Sequence, residues 1–155
     1  MFRKIRRSDK AKTGAEAAEI MKAGTNGILS VNGDDGYPYG VPVSYVYHEG
    51  SIYFHTAREG HKIESIKKDP RVSFCVVGAD NIQPDKFTTM YSSAICFGRA
   101  RIVEDDDEKQ RILEMIVERY SKDFREAGMK YIKAQWNDCH TVAIDVEYMT
   151  GKGLA

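Results

Sequence analysis

The residues with the clearest chemical potential form one run, His55-Thr56-Ala57-Arg58-Glu59-Gly60-His61-Lys62. A hydroxyl residue ends an alternating apolar stretch, a glycine turns the chain, and a His-Lys pair opens a helical stretch. A hydroxyl, free backbone N–H groups, the positive end of a helix dipole and two potential cations can therefore converge on one anion, which makes the run a candidate phosphate cradle. The same residues equally suit a capped helix start with an exposed lysine and histidine. The chain has neither the Walker spacing nor Gly-x-Gly-x-x-Gly, so an NTP or a Rossmann-bound dinucleotide is disfavoured.

A second element, Val41-Pro42-Val43-Ser44-Tyr45, lies one hairpin away. Its backbone and Ser44 suit contact with a flat ring system attached to the phosphate, and Tyr45 suits stacking. Alternatively, Tyr45 and Tyr47 pack on a barrel face. The three cysteines, Cys75, Cys96 and Cys139, are far apart and form no Cys-x-x-Cys pair, so they read as reduced thiols and no metal site is expected. Cys75 and Cys96 sit inside apolar runs, where a cysteine is a small filler rather than a nucleophile.

These residues must be positioned by the elements around them. Thr13 with Glu16 three residues later marks a capped helix over about residues 14 to 23. Gly27 to Val31 and Gly40 to Tyr47 read as strands joined through Asn32-Gly33-Asp34-Asp35-Gly36. Pro42 makes the second strand an edge, a bulge, or a place where the backbone is left free for a ligand. Ser51 to Thr56 completes a meander, and a short helix with Ile63 and Ile66 ends at Asp69-Pro70. Arg71 to Val77 and Tyr91 to Val103 are further strands, with a bend or bulge at Gly98 and a polar loop from Gly78 to Met90 between them. Asp105 and Glu108 cap a helix striped by Ile112, Leu113, Ile116 and Tyr120; helix resumes over 122 to 134, and Thr141 to Thr150 is the last strand. The pattern predicts a mainly β (α+β) fold, a six-stranded antiparallel split barrel with peripheral helices, in one domain spanning 1–155.

The 155 residues carry 23 Lys+Arg against 23 Asp+Glu, so no net field draws the protein to nucleic acid or an anionic membrane. The basic residues from Arg3 to Lys12 read as a solvated arm. No stretch is apolar enough for a spanning helix or a secretory signal, and a soluble, cytoplasmic protein is expected.

The order Gly36-Tyr37-Pro38-Tyr39-Gly40-Val41-Pro42-Val43-Ser44-Tyr45, Ile52-Tyr53-Phe54-His55-Thr56-Ala57 and Gly60-His61-Lys62, followed by Phe74-Cys75-Val76-Val77, Tyr91 to Arg101, Trp136 and Met149-Thr150-Gly151-Lys152, resembles the pyridoxamine 5'-phosphate oxidase-like FMN-binding split barrels, most of all their nitroimidazole-reductase branch. The resemblance runs from Phe2 to Lys152. It implies a homodimer with FMN at the subunit interface. Val43, Ser44 and Tyr45 would line the isoalloxazine, Thr56, Ala57, His61 and Lys62 would hold the ribityl phosphate, and His55 and Gly60 would shape that pocket. Ser92 or Ser93 and Trp136 would contact the flavin, in part from the partner chain. His61 is the expected catalytic proton donor, a small electron-poor molecule such as a nitro compound the acceptor, and NAD(P)H the candidate donor. The last residues, Gly151-Lys152-Gly153-Leu154-Ala155, carry no arginine, so oxidation of vitamin B6 is not expected. The rival reading is a non-catalytic flavin- or haem-binding module, with His48, His55 or His140 as axial ligand.

Overall fold

The structure, a computed structural model, describes residues 1–155. After a two-residue strand β1 (Ala11–Lys12), α1 (Gly14–Ala23) opens on the expected capping box. The Glu16 N–H donates to the Thr13 hydroxyl at 3.2 Å and the Thr13 N–H to the Glu16 carboxylate at 2.7 Å, so two orphan donors of the first turn are met. Ala17 and Met21 form the buried face of α1.

The remaining strands are β2 (Asn26–Asn32), β3 (Pro38–Ser44), β4 (Val46–His48), β5 (Ser51–Ala57), β6 (Arg71–Gln83), β7 (Thr88–Ile102) and β8 (Cys139–Gly153). They pair in the order β3-β2-β6-β7-β8-β5-β4, all antiparallel, with β1 beside β8. β3 and β4 are the two ends of that path, yet only Tyr45 separates Ser44 from Val46. A sheet whose edges are joined by one residue must curl until they nearly meet, and the result is a split barrel with its seam at Tyr45. Leu29, Phe54, Phe74, Val76 and Val142 fill the interior. As the alternation requires, even-numbered residues of β5 and β6 point in and odd-numbered ones out.

Three features depart from the sequence expectation. The single strand expected from Gly40 to Tyr47 is broken at the seam into β3 and β4, and with the short β1 this gives eight strands rather than six. The segment 78–90, expected as a polar loop, continues β6 to Gln83, turns through Pro84–Lys86 and resumes as β7 at Thr88. Its polar composition misleads because a two-stranded ribbon has water on both faces and shows no apolar alternation. Residues 122–124 form a separate turn, so α4 begins at Arg125. The irregularity at Gly98 is where expected. Register shifts between Phe97 and Gly98, and a Cβ at Gly98 would collide with the Asp145 carbonyl oxygen.

Three further helices pack outside the barrel: α2 (His61–Lys68), α3 (Asp106–Tyr120) and α4 (Arg125–Gln135). The Asp105 carboxylate accepts the Glu108 N–H at 2.8 Å to start α3, and the Glu108 carboxylate in turn takes two hydrogen bonds from Arg101. At its other end the Tyr120 hydroxyl meets the carbonyl oxygens of Thr25 and Tyr45, fastening α3 to the seam. None of the helices is long and apolar enough to cross a membrane.

Candidate functional site

Strand β5 delivers His55, Thr56 and Ala57 to the rim of the barrel, and the seam delivers Ser44 beside them. Across from these residues α3 and α4 stand away from the sheet. The groove so formed has a volume of about 870 Å³, with Ser44, His55, Thr56 and Ala57 on the barrel side and Leu113, Phe124 and Tyr131 among the residues on the helical side. Its lining contains no lysine, arginine, aspartate or glutamate. Burial holds the His55 imidazole below its ordinary value, so it is neutral at pH 7.

From Ala57 the chain turns through Arg58, Glu59 and Gly60 into α2. Gly60 has φ +138°, a conformation that side-chain-bearing residues rarely adopt, and it directs the first turn of α2. The first intrahelical bond is from Glu64 N–H to the Gly60 carbonyl, at 3.1 Å. The N–H groups of His61, Lys62 and Ile63 have no acceptor in the protein, and no side chain caps them. Lys62 is half-buried and forms no ion pair or hydrogen bond, unlike Lys67 and Lys68 of the same helix, which are paired to Glu64 and Asp34. An unpartnered lysine in the same turn as three open amides supplies the donor types that suit a phosphate. Positive charge also accumulates around this rim. The His140 imidazole, paired across the sheet from Thr56, is lowered first by burial and then by Arg58, Lys109 and Lys67.

His61 stands apart from that donor set. Its ring stacks on Tyr39 at 4.0 Å between centroids, and Nε2 lies 3.7 Å from Asp34 Oδ2, an ion pair when the imidazole is protonated. The imidazole therefore braces α2 against the β2–β3 turn, and it remains partly open to solvent, with 37% of the side chain exposed.

Two of the residues expected on the ring face do not present side chains there. Val43 points into the barrel with Tyr39 and Val41, as strand alternation dictates. Tyr45 is 1% exposed, lies edge-on to Phe74 and donates its hydroxyl proton to the Met21 carbonyl. Only the backbone of these two positions can meet a ligand, and the expected stacking by Tyr45 is ruled out by its burial. The β3 backbone is well placed for such contact, because β3 pairs with β2 alone and its other edge, including Pro42, is open.

Three more expected residues are not brought to the groove. Thr56 is paired with His140 near the start of β8 and Ser92 with Gly153 at its end. Twelve residues of strand lie between, some 40 Å of extended chain. Ser92 is buried near Gly78, and Ser93 faces outward between Val77 and Lys152. Trp136 follows α4 on a different, smaller hollow with Gln110, Met129 and Lys133.

Sequence reasoning passed over Lys109. It is 8% exposed, and its ammonium donates to the carbonyl oxygens of Trp136 and Cys139 at 2.7 Å each while lying 4.6 Å from the centre of the Trp136 ring. This ties the end of α4 to the start of β8 and so fixes the groove where Cys139 faces Ala57. Nothing local could have revealed it, since the carbonyls are 27 and 30 residues away. The thiols behave as expected. Burial pushes Cys96 up to about 12 and raises Cys75 as well, so neither is an available thiolate.

Among solved structures the chain is similar to a conserved hypothetical protein of Mycobacterium tuberculosis, with a TM-score of 0.82 and 24% identity over 97% of this chain and 91% of that one. It is similar to a protein described as a 5-nitroimidazole antibiotic resistance protein from Bacteroides thetaiotaomicron, with a TM-score of 0.76 and 23% identity over 91% and 84% of the two chains. It is also similar to an FAD-binding protein of Mesorhizobium loti, with a TM-score of 0.64 and 22% identity over 94% and 98%. At these identities the likeness concerns the fold. No curated protein sequence matches the chain. The family model described as pyridoxamine 5'-phosphate oxidase matches residues 13–153, nearly the whole length, and on that match and the split-barrel fold this chain belongs to the pyridoxamine 5'-phosphate oxidase family.

Proposed function

We propose that the protein is an FMN-dependent reductase of small electron-poor molecules, nitro compounds among them, working as a homodimer. The observation that carries this reading is the unpartnered Lys62 beside the open amides of His61, Lys62 and Ile63, contiguous through Ala57 with an uncharged groove. The donor set suits a phosphate dianion, the groove suits a flat ring, and the open edge of β3 offers backbone groups to the ring's polar rim. The similarity to a flavin-binding protein and to a nitroimidazole-resistance protein supports the same reading.

When bound, FMN would supply the redox chemistry, taking two electrons from NADH or NADPH and giving them to the acceptor. The chain contributes position. Lys62 and the α2 amides hold the phosphate, with Thr56 and Gly60 shaping the approach to it. Ser44 and the backbone of Val43 and Tyr45 orient the ring. A nitro group that takes up two electrons also takes up two protons to leave as nitroso and water, and solvent supplies them; the His61 ring, expected as the proton donor, is turned toward Tyr39 and Asp34 and does not line the groove. The apolar walls from α3 and α4 exclude water from the ring. The homodimer reading rests on Ser93, which faces outward and which one chain does not bring to its own groove, and on an outward apolar row, Ile28, Cys75 and Ile95 in register with Phe97 beyond; Ser92 is buried in its own chain and reaches neither groove.

The test is to release and identify the chromophore of the purified protein, then to reduce the protein with NADH or NADPH without oxygen and add a nitroaromatic. Release of FMN, bleaching by the nicotinamide and recovery of absorbance on adding the nitro compound are expected. A Soret band would instead assign the haem-binding alternative, for which neutral His55 is the candidate ligand, and a colourless protein with no affinity for FMN would end the flavin reading.

A further inference from the structure

We infer that the hairpin between β6 and β7 is an arm that grips a second copy of this chain, burying Ile82 and Phe87 on it; the inference rests on the homodimer reading above. β2 leaves β6 at Cys75, and β8 ends against β7 where Gly153 meets Ser92. Leu154 and Ala155 reach the Tyr91 carbonyl, and beyond that point β6 and β7 have only each other. The ribbon continues through Ala79 to Gln83, about 15 Å past the sheet. A register shift between Val77 and Ala79 marks a bulge at its base, where added twist is expected.

A free two-stranded ribbon is marginally stable in water, and this one carries its apolar residues outward. Ile82 is 70% and Phe87 96% exposed. Phe87 also stands in the left-handed region, with φ +51° and ψ +39°, where a bulky side chain costs about 1–2 kcal/mol. An aromatic residue that is both strained and wholly in water gains nothing inside one chain, and burial on a partner would offset both costs.

The partner that fits is a second copy. Strands β6 and β7 carry the arm and, at their roots, the outward apolar row of Ile28, Cys75, Ile95, Val77 and Phe97, to which Phe2 is stacked. That row offers roughly 300 Å² of apolar surface, well short of the ~800 Å² each partner gives to a stable interface, and Ile82 and Phe87 add about as much again. The chain's net charge of zero allows two copies to approach. Asp80 and Asp85 against Lys86 in the arm disfavour an anionic bilayer as the partner. Ser93, at the root of the arm, lies on the same outward face as this row.

The test is sedimentation equilibrium of the full chain, wild type against the I82D/F87D double variant, with FMN binding measured on the same samples. The wild type should be a dimer, and the double variant should dissociate at least about thirtyfold more readily. In the wild type, amide exchange of residues 80–90 should be slow at concentrations where the dimer persists and fast on dilution. A dimer unaffected by the substitutions, with arm exchange independent of concentration, overturns the arm and leaves the homodimer standing. A wild-type monomer at all concentrations overturns both. The exchange measurement decides the matter even where the double variant does not fold.

Discussion

The Tyr45 hydroxyl donates to the Met21 carbonyl oxygen across 2.6 Å, joining the barrel seam to α1 in the interior. Because that bond is buried, burial raises the Tyr45 phenol far above its ordinary value and it never ionises in the working range. Tyr45→Phe leaves the carbonyl without its partner and should lower stability by about 1–2 kcal/mol in a denaturant titration. FMN affinity and the visible spectrum of the bound flavin should not change. An altered flavin spectrum would restore the stacking role that burial argues against.

Lys109 holds two carbonyls with one ammonium and has no carboxylate partner. Lys109→Met keeps the length and apolar stem of the side chain but strands both oxygens, for a loss of about 2–4 kcal/mol. The fluorescence of Trp136, the chain's single tryptophan, should shift in the same variant, because the cation is withdrawn from its ring. Unchanged emission and stability would remove the strut from the account.

At Gly128 α4 packs directly against Val117 of α3. A Cβ there would lie 2.7 Å from Val117 Cγ1. Gly128→Ala should force the helices apart at a cost of about 1–3 kcal/mol, and the widened groove should bind FMN less tightly. Calorimetric melting and flavin titration read the two effects separately.

Stability should fall on acidification through the histidine range. His55 and His140 both have folded values below 6.5, so between that value and the depressed ones the unfolded chain binds more protons than the folded one. Folding free energy therefore decreases as pH drops from just above 6.5 and levels off once the folded imidazoles titrate. The H55Q/H140Q double variant should show a flatter profile over that window in chemical denaturation. An equally steep profile would place the dependence elsewhere.

Much of the fold was legible because its signals are local. The Thr13–Glu16 box, the Asp105 cap, Pro42 on an edge and the irregularity at Gly98 each follow from one or two side chains. What was missed depends on distance or on symmetry. The break at Tyr45 arises from barrel closure, which no window of sequence reports. The arm hides because a ribbon wet on both faces carries no apolar alternation. In the site, the run from His55 to Lys62 pointed to a candidate cradle through its residue types, whereas Ser92, Ser93 and Trp136 were named by resemblance, and one folded chain keeps them away from the groove. Lys109 was invisible because its partners are remote backbone atoms with no residue-type signature.

The central claim is that Lys62 and the first turn of α2 hold a phosphate. Titrating the apoprotein with FMN and with riboflavin, which has the same ring and no phosphate, tests it most directly. The account predicts that FMN binds at least tenfold more tightly, and that Lys62→Ala removes most of this preference, a loss of about 1.5–3 kcal/mol for a charge-assisted contact, without lowering the melting temperature of the apoprotein. Equal affinity of the wild type for the two compounds would contradict it.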